Sequence, residues 1–212
     1  IVLITAANFL EIYPYSFAKE LPEHWLFEIV LCSIASDSLF YWLHRLAHHP
    51  KVYSKMHKMH HEWIYTIALA HHYMSWEEAL MFTLPPVIPP LLCGAHISTV
   101  YVMVLWTNLN GVMGHSAYCI PFLNSMRLPF LNPAYHDLHH LRFNVNYGAV
   151  YSFTDIMWGT FREEPIVYMD GVEPVLAAEA EKKAASSDGT EKKDVVSDMY
   201  YNPSLISDSG SI

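Results

Sequence analysis

The residues best placed to do chemistry are histidines. Fourteen are present, and nine of them form a pattern: His44-x-x-x-His48, His57-x-x-His60-His61, a lone His115, and His136-x-x-His139-His140. Residues three and four apart share a helical face, so each cluster can aim two or three imidazoles at one point. Three such clusters can surround two metal ions. Scattering 14 histidines over 212 positions at random would give two H-x-x-H-H copies on the order of 0.002 times per chain, so coincidence is a weak competitor.

Neutral imidazole suits iron, zinc, copper or nickel, whereas magnesium and calcium prefer oxygen. The Glu and Glu-x-x-His ligands of carboxylate-bridged bundles are missing, so the ions would keep most of their positive charge. The donor set alone does not choose iron over zinc. His24, His49 and His96 are expected to be ordinary hydrogen-bonded residues, and the adjacent pair His71 and His72 leans the same way less strongly. No catalytic residue is expected beyond the metal ligands.

The elements that must position these clusters are apolar. Of 212 residues, 52% are apolar and 16% charged, with a mean hydropathy of +0.15, on the membrane side of ordinary soluble composition. The stretch 25–43 would extend about 28 Å as a helix, close to a hydrocarbon core. It contains Glu28 and Asp37, and ionisable groups inside a span usually face a partner or a site. Asp37 lies seven residues before His44, which makes it a candidate carboxylate for orienting that ring. A second apolar region, 79–113, is broken by Pro85, Pro86, Pro89 and Pro90 and reads as a tight helical hairpin with arms near 15 residues, crossing fully or partly. The expected fold class is therefore an all-α integral membrane protein carrying a helical, histidine-rich di-metal domain on its cytosolic side.

Arg45, Lys51, Lys55, Lys58, Arg127, Arg142 and Arg162 lie outside these spans and the hairpin turn has no basic residue, which places 44–78 and 114–212 in the cytosol. Residues 1–24 read as a truncated membrane segment and loop, and 170–212 as a disordered polar tail. The net charge of −9 owes much to acids after residue 162, so nucleic acid is a poor partner. Cys32, Cys93 and Cys119 are widely spaced in apolar surroundings and read as buried free thiols.

Residues 37–61, DSLFYWLHRLAHHPKVYSKMHKMHH, together with HDLHHLRFNVNYG and FTDIMWGT, resemble the fatty acid hydroxylase and sterol desaturase superfamily over roughly 25–163. The stretches ALAHHYMSWEEAL and HDLHHLRFNVNYG look closest to cholesterol 25-hydroxylase-like members, with methylsterol monooxygenases next. The resemblance implies the nine histidines as ligands of two iron ions. It also implies molecular oxygen, electrons from NAD(P)H through a separate reductase or cytochrome b5, a lipid or sterol substrate, and residence in the endoplasmic reticulum membrane. Glu78, Asp137, Asn144, Asn146, Tyr147 and Asp155 are candidates for orienting the ligands. Three positions depart from the family pattern: Ser75 stands where many relatives have His, Ala117 where they have Gly, and Thr154 where they have Trp.

The leading expectation is hydroxylation of a lipid C–H bond. A desaturase or C-4 methyl oxidase would use the same site, and a non-catalytic zinc-binding membrane protein the same donors. A metal transporter fits less well, since transport sites lie near the bilayer midplane and these clusters follow the spans.

Overall fold

The structure is a computed structural model that describes residues 21–64, 66–118, 132–164, 166–169 and 173–176. Its longest helix, α1 (Trp25–Ala47), runs one turn beyond the predicted span and carries His44 within its last turn. At 23 residues it is about 34 Å long, enough to cross a hydrocarbon core of roughly 30 Å. Among the described residues it is the one helix long and apolar enough to do so.

The packing of α1 is inverted relative to a water-soluble helix. Its buried stripe holds Ser33, Ser36, Asp37 and His44, while Leu26, Phe27, Val30, Leu31 and Ile34 are exposed. In water that arrangement would expose the apolar side and bury the costly one. Facing lipid, the exposed apolar side would need no cover. Glu28 finds its partner at the start of another helix, where its Oε2 accepts from His96 N at 3.3 Å and from the Thr99 hydroxyl at 3.4 Å. A carboxylate at a helix N-terminus meets both free N–H groups and the favourable end of the dipole.

After α1 the chain turns at His48 and His49 into α2 (Pro50–Met56), with Pro50 at the first helical position, where no N–H is needed. Two 3-10 turns, His60–Glu62 and Ala68–His72, lead to α3 (Trp76–Thr83), capped by Ser75. The predicted hairpin is uneven. Pro85 and Pro86 interrupt its first arm, leaving α3 and the five-residue α4 (Ile88–Leu92). The second arm is a continuous 18-residue helix, α5 (Ile97–Gly114). The first arm is thus not one helix near 15 residues, because prolines inside the apolar run remove the hydrogen bonds a single helix would need.

Helix α6 (Pro133–Arg142) starts from an Asn132 cap, and α7 (Phe153–Trp158) ends on Gly159 with φ 72°. Ala134, Tyr135, Leu138 and Val145 form the small core beneath α6, with Leu141 and Phe161 against it. The closing segment returns to α1 through Tyr41 and Thr160, whose hydroxyls lie 3.0 Å apart, and through Ser33 and Tyr151 at 2.8 Å.

The all-α expectation needs one correction. Ile166–Met169 (β1) and Glu173–Leu176 (β2) pair antiparallel, Ile166 opposite Leu176 and Met169 opposite Glu173. Residues 173–176 of the predicted polar tail are therefore strand, and 170–172 lie outside the described residues. The rest of that tail, 177–212, and residues 1–20 of the predicted N-terminal segment lie outside the described residues, as does Cys119. Cys32 is buried as expected, but Cys93 is exposed at the end of α4.

Candidate metal centre

The four clusters meet. Helix α1 brings His44 and, at its end, His48; His57 closes α2; His60 and His61 open the following 3-10 turn; His115 closes α5; His136, His139 and His140 lie along α6. Their ring nitrogens sort into two groups. His44, His48, His57, His61 and His139 form one, and His60, His115, His136 and His140 the other, with the donor atoms of each group within 4.8 Å of one another. The groups interlock, since adjacent His60 and His61 serve different ones, as do His139 and His140.

The spacing of the donors tests whether a metal fits. In the first group Nε2 of His44 lies 3.0 Å from that of His57, His57 3.0 Å from His61, and His48 3.1 Å from His139. In the second, His115 lies 3.1 Å from His60 and 3.0 Å from His136. Metal–imidazole bonds of about 2.1 Å meeting near right angles put neighbouring donors about 3.0 Å apart, whereas a tetrahedral site would space them about 3.4 Å. The donors of each group are close enough together to share one ion at ordinary metal–imidazole bond lengths.

Ring orientation decides which nitrogen is free. His44 Nδ1 donates to the Tyr147 carbonyl at 2.7 Å, His139 Nδ1 to Val145 at 2.7 Å, and His115 Nδ1 to Gly111 at 2.7 Å. His60 Nδ1 faces the Tyr73 carbonyl at 3.4 Å, and His57 Nδ1 donates to Glu78 Oε1 at 2.6 Å. With its proton held on Nδ1, each of these rings presents the Nε2 lone pair to its group. Nδ1 of His61 and of His140 is buried without a partner.

Burial also keeps the rings neutral. Desolvation first, and the neighbouring imidazoles second, hold His48, His57, His61, His115, His136 and His140 well below the ordinary imidazole value. His139 is likewise held well below it, by desolvation above all. Burial brings His60 down to about 4. Desolvation pushes Glu78 up to about 8, although its 2.6 Å bond to His57 is one that a nearby cation would strengthen by drawing out the carboxylate form.

The rings stand at helix ends of one polarity. His48, His57 and His115 cap the C-termini of α1, α2 and α5, and His139 and His140 lie in the last turn of α6. Four C-terminal dipole ends face the region where neutral ligands leave positive charge uncompensated. His71 also approaches: its ring centroid is 5.4 Å from that of His115. It fills the space a side chain at Gly111 would occupy, since a Cβ there would meet its Cε1 at 2.0 Å.

The sequence profile described as fatty acid hydroxylase matches residues 29–160. The chain belongs to this family. It is 38% identical over 135 residues to the human fatty acid hydroxylase domain-containing protein 2, covering 62% of this chain and 38% of the relative. It is 30% identical over 137 residues to methylsterol monooxygenase 1-3 of Arabidopsis thaliana, covering 63% and 47%. It is also 30% identical over 166 residues to a Delta(7)-sterol 5(6)-desaturase of Gibberella zeae, covering 76% and 49%. The chain thus spans less than half the length of each of these relatives. No solved structure matches it.

Of the residues expected to orient ligands, Glu78 does so through its side chain, on His57. Asp37 does not touch His44; its Oδ1 accepts from the amides of Ala149, Val150 and Tyr151 at 3.2, 2.7 and 3.3 Å. Asp155 accepts from Tyr147 N at 2.8 Å, Gly148 N at 2.7 Å, the Thr160 hydroxyl at 2.7 Å, and the Tyr135 hydroxyl. These two carboxylates hold the loop whose Tyr147 carbonyl orients His44. Asn146, at φ 53°, bonds the carbonyls of Tyr135 and Arg162 and pins the same loop. Asp137 accepts from the Thr66 hydroxyl. Asn144 is exposed, so the role expected of it is not found.

The departures from the family pattern have local accounts. Ser75 caps α3, accepting from Glu78 N at 3.2 Å and donating to the Met56 carbonyl at 2.9 Å, which fixes the helix that carries Glu78. Ala117 holds φ 55°, a conformation glycine adopts more cheaply. Thr154 is buried with its hydroxyl unpartnered. His49 and His96 are helix caps, as ordinary polar residues would be.

A cavity of about 260 Å³ reaches the site. His44, His57, His60, His115 and His136 line it together with Phe40, Phe82, Met103 and Val104.

Proposed function

We propose that this protein oxidises a C–H bond of a lipid, a sterol or a fatty-acyl chain, with two iron ions held by the nine histidines. The observation that carries the reading is the juxtaposition of two Nε2 groups with an apolar-walled cavity. Bound iron would supply the activation of molecular oxygen, with electrons from NAD(P)H delivered by a separate reductase or cytochrome b5. The residues of the chain do the rest. His44, His48, His57, His61 and His139 would hold one ion, and His60, His115, His136 and His140 the other. Glu78 and the carbonyls of Tyr147, Val145 and Gly111 keep the rings turned toward the ions. Phe40, Phe82, Met103 and Val104 would exclude water and give the hydrocarbon an apolar lining beside the histidines.

The names of the relatives include a monooxygenase and a desaturase, which supports oxidation of a lipid and leaves the outcome to where the target carbon lies. The inverted packing of α1 supports membrane residence, and the basic residues near the histidines support a site facing the cytosol, with the endoplasmic reticulum as the proposed membrane. For the test, purified protein is supplied with NADPH, a reductase system and sterol or acyl lipids under oxygen-18. Labelled alcohol, or an alkene formed only with oxygen, is expected. His60→Ala and His139→Ala should each abolish product and lower iron content together; full activity in either variant overturns the ligand assignment.

A further inference from the structure

The histidine pattern has one gap. His44 and His48, His57 and His61, and His136 and His140 are each four residues apart, and each pair serves a single group of donors. His115 has no such companion, since Gly111 stands four residues before it and Cys119 four after. The first group accordingly holds two pairs with His139, whereas the second holds one pair with His60 and His115. The member missing from the second group is the one that position 111 would carry.

Another element brings an imidazole to that place. The edge of the His71 ring that carries both nitrogens lies against Gly111, where an added Cβ would meet Cε1 at 2.0 Å and Nδ1 and Nε2 at 2.4 Å. Its centroid is 5.4 Å from that of His115, inside the 4.3 to 6.2 Å that separates the rings of the second group from one another. The 3-10 turn carrying His71 packs on α5 and leads into Tyr73, whose carbonyl faces His60 Nδ1 at 3.4 Å. His71 therefore stands between the backbone groups that orient His60 and His115. Among the described residues no hydrogen bond engages either nitrogen of its ring, whereas a histidine serving only as a packed polar residue ordinarily has a partner. It lines the cavity beside His60, His115 and His136.

We propose that His71 is a further metal ligand, belonging to the second group and standing in for the side chain that Gly111 lacks. Its nitrogens are not among the donors lying within 4.8 Å of one another, so it joins them by turning its ring off Gly111 into another staggered side-chain position. A neutral imidazole adds the same kind of donor that the other four members supply. The proposal rests on the reading of the nine histidines as ligands of two ions, and it concerns metal binding, which does not depend on turnover.

For the test, full-length protein in detergent is loaded with cobalt(II) alone, without oxygen, and titrated with a graded chelator while metal content and visible cobalt absorption are read together. His71→Phe fills the same space without a donor. It should weaken metal retention about tenfold or more, at least the loss expected when a ligand merely loses its orienting partner, and should change the cobalt absorption, which follows ligand number and geometry. Gly111→His added to His71→Ala puts a donor four residues before His115 and should restore retention; Gly111→Leu in the same background, similar in bulk, should not. A His71→Phe variant that holds cobalt as tightly as the native protein, with an unchanged spectrum, overturns the proposal, because His71 then only fills space. Equal recovery with His and Leu at position 111 overturns it too. Native protein that binds no cobalt, or a His60→Ala variant that keeps both ions, overturns the two-ion reading itself and this proposal with it.

Discussion

Glu78 meets the ring of His57 from a fully buried position at the start of α3. Removing it would leave His57 Nδ1 with no acceptor and its ring free to turn. Glu78→Ala should weaken metal binding about 10- to 100-fold, read as metal retained against a graded chelator, while Glu78→Gln, which keeps an acceptor, should lose less. Equal loss in the two variants would place the effect in packing instead. The histidines themselves were legible because spacing of three and four residues encodes a shared face directly. Their orienting partners were legible only in part: Glu78 and Tyr147 were among the expected residues, whereas Val145 and Gly111 were not, since they act through carbonyls that every residue possesses. Asp37 misled for a simple reason of distance: seven residues along a helix is about 10 Å of rise, so a residue on the same face as His44 is still out of its reach.

At the scale of elements, the site is assembled from helix ends and one loop. The C-termini of α1, α2 and α5 and the last turn of α6 converge, which places histidines where helix dipoles favour cations. The segment from Val145 to Gly148 then supplies two of the orienting carbonyls, and Asp155 holds it by accepting from the amides of Tyr147 and Gly148, with the Thr160 and Tyr135 hydroxyls as its other donors. Asp155→Ala would strand several buried donors, at a cost of about 3 kcal/mol or more in stability. It should also lower metal content although Asp155 touches no ligand ring. A variant that melts earlier yet holds both metals normally would show that the loop does not set the rings. Helix α1 could be read from length and apolarity alone, whereas the hairpin arms could not, because local sequence shows that prolines break a helix but not how the pieces pack. The β1 and β2 ribbon had a signal in Asp170-Gly171 between two short apolar runs, outweighed by the polar composition around it.

For the molecule as a whole, the interlocking of the two groups makes metal content and fold one property. His60 and His61 are consecutive, as are His139 and His140, and each pair is split between the groups, so a shift of either backbone segment disturbs both. Protonation is the simplest way to load that coupling. The buried rings carry proton affinities below the ordinary imidazole value of about 6.5, His60 down to about 4, whereas unfolding restores the ordinary value. The unfolded chain therefore binds more protons than the folded one. The stability due to these rings is complete above about pH 6.5 and is lost as pH falls through the folded values. Stepwise acidification should accordingly leave both metals in place at pH 6.5 and release them together nearer pH 4, with loss of helical circular dichroism in the same step. Release with a midpoint at or above pH 6.5 would mean rings open to water, and release of one metal with the fold intact would mean that the groups are independent.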